Sequence, residues 1–232
     1  MRLAIMQPYF LPYIGYWQLI AAVDTFVVYD NIKYTKKGWI NRNRFLRNGA
    51  ETSFSLPLRK DSDFLNVNKR FLADSFDRDE LLNRFREAYR KAPEFSSVMP
   101  LLEGIVLNPV TNLFEYIFAS IHSVCEFLEI PTPLVVSSTI NCDHSLKSAD
   151  RVQAICEVLG ADTYVNPVGG MELYSKEDFA AKGIDLKFLK ALPFEYQQAG
   201  NLFSPWLSIL DVMMYNSNDL TCSQIFKGYS LE

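Results

Sequence analysis

The sequence predicts an α/β fold with a mostly parallel sheet and a helical insertion or cap, and three observations predict it. Short apolar runs of strand length recur at residues 3–7, 25–29, 134–138, 163–167 and 185–189. Amphipathic stretches of helical period lie between them, and Pro or Gly marks many of the junctions. Strands alternating with helices favour parallel pairing, because each crossover helix returns the chain to the same end of the sheet. The 232 residues suit a single domain, 1–232, with helical stretches at about 66–130 inserted in it.

The first run is followed by a turn containing Pro8 and Pro12 and a helix reaching about Ala22, and the second run ends at Asp30. Strand candidates around Phe45 and over 52–58 flank Asn48-Gly49, a pair suited to a hairpin turn. Leu81, Leu82, Phe85, Ala88 and Tyr89 have helical spacing, with acids early and Arg90-Lys91 at the end. Residues 101–107 read as another helix. Asn112 and Glu115 form a cap pair for a long apolar helix extending to Ile130. A helix over 147–159 ends at Gly160, Ser175 with Asp178 opens a brief one ended by Gly183, and Ser204-Pro205 opens a last helix over 206–215.

Net charge is −4, from 23 Lys and Arg against 27 Asp and Glu, but residues 31–50 hold six basic side chains and no acidic one. The rest of the chain then has 17 basic against 27 acidic residues. An acidic body with one basic segment argues against duplex nucleic acid and for a local anion site. Cys125, Cys142, Cys156 and Cys222 form no CxxC pair, so a reduced, cytoplasmic protein is expected. No apolar run is long enough to span a membrane. Two histidines and scattered acids give no metal-ligand pattern.

Four segments are candidates for chemistry. At the first strand-to-helix junction, Gln7, Tyr13 and Tyr16 offer hydrogen bonds, and Gly15 admits a ligand or neighbouring backbone beside a helix amino terminus. The alternative is an aromatic core turn. In the basic segment, Lys36, Lys37, Arg42 and Arg44 suit phosphate or carboxylate, with Arg42 and Arg44 on one face if it is extended and Tyr34 and Trp39 available for stacking. A solvated edge strand is the alternative there. The third segment runs from Ser137 through Cys142, Asp143 and His144 to Lys147 and Arg151. His144 is its acid–base candidate, whereas His122 in the long apolar helix reads as structural. The fourth, Asn166 with Gly169 and Gly170, forms a tight turn after a strand. A polar group at 195–198 precedes Asn201, and Asp211, enclosed by apolar neighbours, calls for a partner, for which a basic residue is the expectation.

The stretches MQPYFLPYIGYWQLI at 6–20, FVVYDNIKYTKKGWINRNR at 26–44, YRKAPEF at 89–95, SADRVQAICEVLGADTYVNPVGG at 148–170 and FSPWLSILDVMMYN at 203–216 resemble the WbqC-like family. That resemblance implies a bacterial protein of surface-polysaccharide (O-antigen) and aminosugar biosynthesis. The opening is also remotely similar to the nucleotidyltransferase-like α/β superfamily, whose first helix begins His-x-Gly-His; the equivalent positions here are Tyr13-Ile14-Gly15-Tyr16. This implies a Rossmann-like sheet and nucleotide phosphates near that helix. Tyrosines keep the hydrogen bonding but lose the cationic form, which the nearby lysines and arginines would restore.

The function so implied is transfer of an acyl or aminoacyl group to an aminosugar by an enzyme acting on a nucleotide-linked or nucleotide-activated substrate. Tyr13, Tyr16 and His144 are its catalytic candidates. Gln7, Gly15, Lys36, Lys37, Arg42, Arg44, Lys147, Arg151, Asn166, Gly169 and Gly170 are its binding candidates. ATP or another nucleotide with magnesium is the cofactor considered, and a homo-oligomer is compatible with the sequence. Nucleotidyl transfer to a sugar phosphate, a noncatalytic sugar-nucleotide-binding subunit of a glycan-assembly complex, and use of a tRNA-borne donor remain alternatives.

Overall fold

A computed structural model describes residues 1–199 and 202–232; Asn201 lies outside the described residues. Six strands form the main sheet: β1 (Arg2–Met6), β2 (Thr25–Val28), β5 (Leu134–Val136), β6 (Thr163–Pro167), β7 (Asp185–Ala191) and β8 (Tyr229–Leu231). Their order is β5-β2-β1-β6-β7-β8; the first five run parallel and β8 pairs antiparallel to β7. The chain moves outward from β1 to β5, then returns to the other side of β1 to place β6. Such a reversal leaves a crevice beyond the carboxyl ends of the central strands.

Both faces of the sheet are covered, which is why its strands read as continuous apolar runs. Leu3, Ile5, Val27, Tyr164 and Leu186 pack with α5 (Ser148–Leu159) and α6 (Lys176–Ala180) on one face. Ala4, Phe26, Val28, Val165 and Leu189 join the larger core on the other face. That core includes α1 (Ile14–Ala21), which packs against α8 (Asn218–Lys227) and the β6–β7 pair.

Between β2 and β5 the chain makes a separate antiparallel hairpin, β3 (Arg42–Arg47) and β4 (Ala50–Ser55), then α2 (Arg78–Tyr89), α3 (Phe95–Val106) and α4 (Leu113–Phe127). Asn48 and Gly49 both have positive φ, 54° and 76°, as a two-residue turn with right-handed strand twist requires. Phe45 and Phe54 of the hairpin pack against Phe85 of α2. Asn112 caps α4 by accepting from the Glu115 amide at 3.1 Å.

Several expectations are corrected. The helix placed at 101–107 begins at Phe95 and contains Pro100 as its sixth residue, where the missing N–H removes one i→i−4 hydrogen bond of the helix. The helix placed at 206–215 is α7 (Ile209–Tyr215), because Ser208 rather than Ser204 supplies the cap and Trp206 has φ 61°, incompatible with a right-handed helix. α8 and β8 extend the chain beyond the last expected helix; Ser217 caps α8 by accepting from Leu220 N. His122 lies on the exposed side of α4 near Glu126 rather than in the core.

Asp211 is fully buried, yet its partners are neutral rather than basic: Tyr89 and Tyr196 hydroxyls donate at 3.0 and 2.9 Å, and Gln198 Nε2 at 2.9 Å. Burial pushes its carboxyl above the usual range, against the lowering effect of these hydrogen bonds. Gln198 also exchanges hydrogen bonds with Ser204 at both ends of its amide, so the carboxylate ties Tyr196, Gln198 and, through Gln198, Ser204 to α7. Asp211→Ala strands three buried donors and is expected to lower stability by about 3 kcal/mol or more, read by denaturant unfolding.

Candidate functional site

The site is built on the loop between β1 and α1. Its proline-rich stretch forms little repetitive structure, so its carbonyl groups need donors from elsewhere. Gln7 O accepts from the Tyr16 hydroxyl at 3.0 Å. Leu11 O accepts from Asn43 Nδ2 and Ser208 Oγ, both at 2.7 Å. Pro12 O accepts from Trp17 Nε1 and Ile209 N. Phe10 N donates to Ile40 O, and Ser208 N donates to Arg44 O. The loop is thereby tied to the hairpin and to α7, and Leu11 is buried with φ 46°.

Beside this hub a groove of about 600 Å³ opens at the carboxyl end of β7 and the amino terminus of α1. Tyr13 and Ile14 form one side, residues 190–196 another, and residues 203–207 a third. Apolar side chains dominate, with Tyr13, Phe194, Tyr196, Phe203 and Trp206 as the aromatic ones and Lys190, Glu195 and the Tyr13 hydroxyl among the polar groups. Its size and apolar walls suit a small organic molecule. The Tyr13 ring meets Trp206 edge-on at 5.6 Å. Burial pushes the Tyr13 phenol above its ordinary value, leaving a neutral hydroxyl able to donate.

Gly15 is needed, but for a different neighbour than expected. A Cβ there would stand 2.4 Å from the Tyr13 ring, so the space anticipated for a ligand or backbone is filled by that side chain. Tyr16 is buried, with its hydroxyl held by Gln7 O and its phenol pushed well above the ordinary value by burial, then by Tyr9 and Cys125.

The basic segment reaches the groove wall at one point. Arg42 and Arg44 lie on one face of β3, with guanidinium groups 5.4 and 5.6 Å from the Trp39 ring. Arg44 Nη2 donates to Trp206 O at 3.5 Å, while Nη1 pairs with Glu51 at 2.7 Å. Arg42 Nη2 donates to Lys37 O. Nε of both arginines is buried without a partner. Lys36 pairs with Asp63 and Arg47 with Glu87, so acids distant in sequence neutralise part of the segment. Lys37 is exposed.

A second group gathers beyond β2 and β5. Asp30 is buried and accepts from Ser137 Oγ, Ser138 N and Asn68 Nδ2 at 2.7–2.8 Å. Burial alone would raise its carboxyl; the hydrogen bonds from Ser138, Ser137 and Asn68 prevail and hold it below the usual range. Next to it, Asn31 Nδ2 and Arg151 Nη2 approach His144 Nδ1 at 3.1 and 3.0 Å, and His144 Nε2 lies 3.0 Å from Ile140 O. Cys142 Sγ is 3.7 Å from the same Nδ1. Lys147 precedes α5 and is exposed. Asn166 and Gly170 form a third group: a Cβ on Gly170 would meet Asn166 Nδ2 at 2.2 Å, while Gly169 faces open space.

Tyr13, Gly15, Arg42 and Arg44 are thus linked through Trp206 and Trp39, and Gln7 is linked to Tyr16. His144 and Arg151 meet each other, but no hydrogen bond or ring contact among the described residues joins them to Tyr13, Arg42 or Arg44. Asp30, Asn31 and residues 190–194 were missed by sequence reasoning, which had noted only the polar group at 195–198 after β7. Their usable signal was position: each directly follows a buried parallel strand, where ligand-facing groups collect. Among the described residues no group of three or more His, Cys, Asp or Glu is placed to hold a metal ion, and no helix is long and apolar enough to cross a membrane.

The WbqC-like protein family model matches residues 7–222, including the loop hub, the hairpin and the groove. The chain belongs to this family. An uncharacterized protein of Mycobacterium tuberculosis is similar to this WbqC-like chain, 28% identical over 217 residues that cover 91% of the chain and 92% of the relative. No solved structure matches it.

Two outcomes check this geometry. Asp30 has a lowered carboxyl, so its stabilisation is present above the unfolded value near ~4 and is lost as pH falls through the folded value. Asp30→Asn is therefore expected to melt lower at neutral pH yet lose less Tm than wild type between about pH 5 and about pH 3. Gly15→Ala is expected to displace the Tyr13 ring, changing tryptophan fluorescence through Trp206, with a much smaller change in melting temperature.

Proposed function

We propose that this WbqC-like protein is an enzyme of surface-glycan biosynthesis that binds a nucleotide-linked substrate in the groove and transfers an acyl or aminoacyl group to an aminosugar. The observation carrying this reading is a groove with aromatic side chains in its walls at a strand carboxyl end and a helix amino terminus, which Arg44 reaches through Trp206 O, with Arg42 beside Arg44 at the Trp39 ring. Aromatic faces suit a base or sugar, and guanidinium forks suit phosphate oxygens. The remote likeness of Tyr13-Ile14-Gly15-Tyr16 to the nucleotidyltransferase opening supports the same placement.

In this reading Arg42 and Arg44 hold the phosphates with Lys37, and Lys36 adds positive charge beyond its pair with Asp63. Tyr13 donates to the substrate from the groove wall. The amino nitrogen of the sugar attacks the acyl carbonyl carbon, a C–N bond forms, and the bond to the activating group breaks. The nitrogen's proton leaves with that group or to water. Neutral Tyr13 is suited to donate a hydrogen bond to the carbonyl oxygen as charge grows there. Tyr16 serves by positioning the loop through Gln7 rather than by moving a proton. Asn166, Gly169 and Gly170 shape the approach of the acceptor.

The direct test is incubation with ATP, a small carboxylic acid and UDP- or dTDP-aminosugars, followed by mass spectrometry for the N-acylated sugar nucleotide. Tight binding with no product across the panel would favour a noncatalytic sugar-nucleotide-binding subunit. Arg42→Ala and Arg44→Ala are each expected to weaken sugar-nucleotide binding about tenfold or more, about 1.4 kcal/mol; unchanged calorimetric affinity removes them from phosphate binding. Tyr13→Phe is expected to lower the transfer rate more than thermal stability, because ring volume stays and the donor is lost. An unchanged rate makes Tyr13 a packing residue.

A further inference from the structure

We infer a separate oxyanion subsite beyond β2 and β5, in which Arg151 and His144 hold a carboxylate or phosphate group of a small molecule. It does not depend on the groove or on the transfer reaction.

Arg151 is 7% exposed. Its guanidinium stands 4.8 Å from the Tyr29 ring centre, and Nη1 reaches Asn31 O at 3.3 Å. Among the described residues no carboxylate forms an ion pair with Arg151 or His144. Nε of Arg151 is buried and unpartnered. A buried guanidinium without a counter-charge is costly, and Nε with Nη2 forms the edge that grips two oxygens at once.

The surrounding hydrogen bonds reach the same point. His144 Nε2 faces Ile140 O and so carries a proton, leaving the Nδ1 lone pair as acceptor. Three donors converge on that single lone pair: Asn31 Nδ2, Arg151 Nη2 and the Cys142 thiol. The lone pair takes one of them, and the others are left to water or a ligand. The Ser137 hydroxyl meanwhile has one proton for two acceptors, Asp30 Oδ1 at 2.8 Å and Asn31 Oδ1 at 2.7 Å. Turning the Asn31 amide end for end supplies Ser137, but it puts Asn31 Oδ1 against Nδ1. His144 must then carry both protons and becomes a cation 3.0 Å from Arg151. The first arrangement leaves two of the three donors to solvent; the second sets two cations 3.0 Å apart, with no acid ion-paired to either among the described residues. An oxyanion beside the Arg151–His144 contact, facing the Nε–Nη2 edge, offers acceptors in either arrangement, because each oxygen has several lone pairs.

The same geometry assigns His144 to binding rather than to free acid–base exchange. It also makes Cys142 a poor nucleophile, since the nitrogen that would take the thiol proton already faces stronger donors.

The test follows imidazole nitrogens by NMR while the whole protein is titrated with inorganic phosphate, acetate or chloride at matched ionic strength. The chain has two histidines, and exposed His122 on α4 is an internal reference. Saturable movement of His144 with phosphate, acetate or both, and not with chloride, is the expected result; the anion that saturates identifies the oxyanion class. Arg151→Gln, with folding checked by its melting curve, is expected to weaken that response at least tenfold. No saturable response in wild type, equal movement of His122, or an unchanged response in folded Arg151→Gln overturns the subsite. If Arg151→Gln does not fold, Arg151→Lys replaces it: it keeps the charge but loses the fork, and unchanged affinity there likewise overturns the subsite.

Discussion

The structure depends on supplying hydrogen-bond donors to the carbonyl groups of one proline-rich loop. Residues 7–13 leave the first strand without entering a helix, and Pro8, Phe10, Leu11 and Pro12 among them are buried. Leu11 O and Pro12 O each take two donors, from Asn43, Ser208, Trp17 and the Ile209 amide. Losing such a donor costs more than the bond contributes, because a buried carbonyl cannot return to water. The hairpin and α7 are consequently held against this loop, and the groove opens between Tyr13–Ile14, the residues after β7 and residues 203–207.

The two buried carboxylates illustrate how environment assigns different work to the same group. Asp30 sits at a strand end among polar donors that favour its charged form. Asp211 sits in apolar surroundings, where two phenols and an amide satisfy its oxygens while burial still favours protonation. Asp30 therefore joins β2 to β5 at a cost in acid, whereas Asp211 holds the groove loop to α7 despite reduced favour at neutral pH. Both occupy ends of elements rather than their middles, where neutral donors can reach them.

Charge behaves similarly. The basic segment is contiguous in sequence, yet Glu51, Asp63 and Glu87 divide it among three ion pairs. Among the described residues, Lys33, Lys37 and Arg42 of that segment form no ion pair, and elsewhere neither do the buried Arg70 and Arg151. Exposed pairs of this kind contribute little to stability, so their main consequence is to decide which cations remain available to a ligand.

Periodicity and turn chemistry alone determined the α/β class, the parallel strand positions, the Asn48-Gly49 turn, the Asn112 cap and the shared face of Arg42 and Arg44. These features depend on neighbours within a few residues, so local spacing carries them. Tertiary structure alone decided that Tyr13 fills the space over Gly15, that phenols rather than a cation satisfy Asp211, and that Ser208 rather than Ser204 starts α7. It also decided that the candidate residues form separate groups instead of one pocket. Each of those outcomes turns on which donor, acceptor or ring arrives from a distant segment, and a hydrogen bond of 2.7 Å across 197 residues, as from Ser208 to Leu11, leaves no periodic trace in the chain.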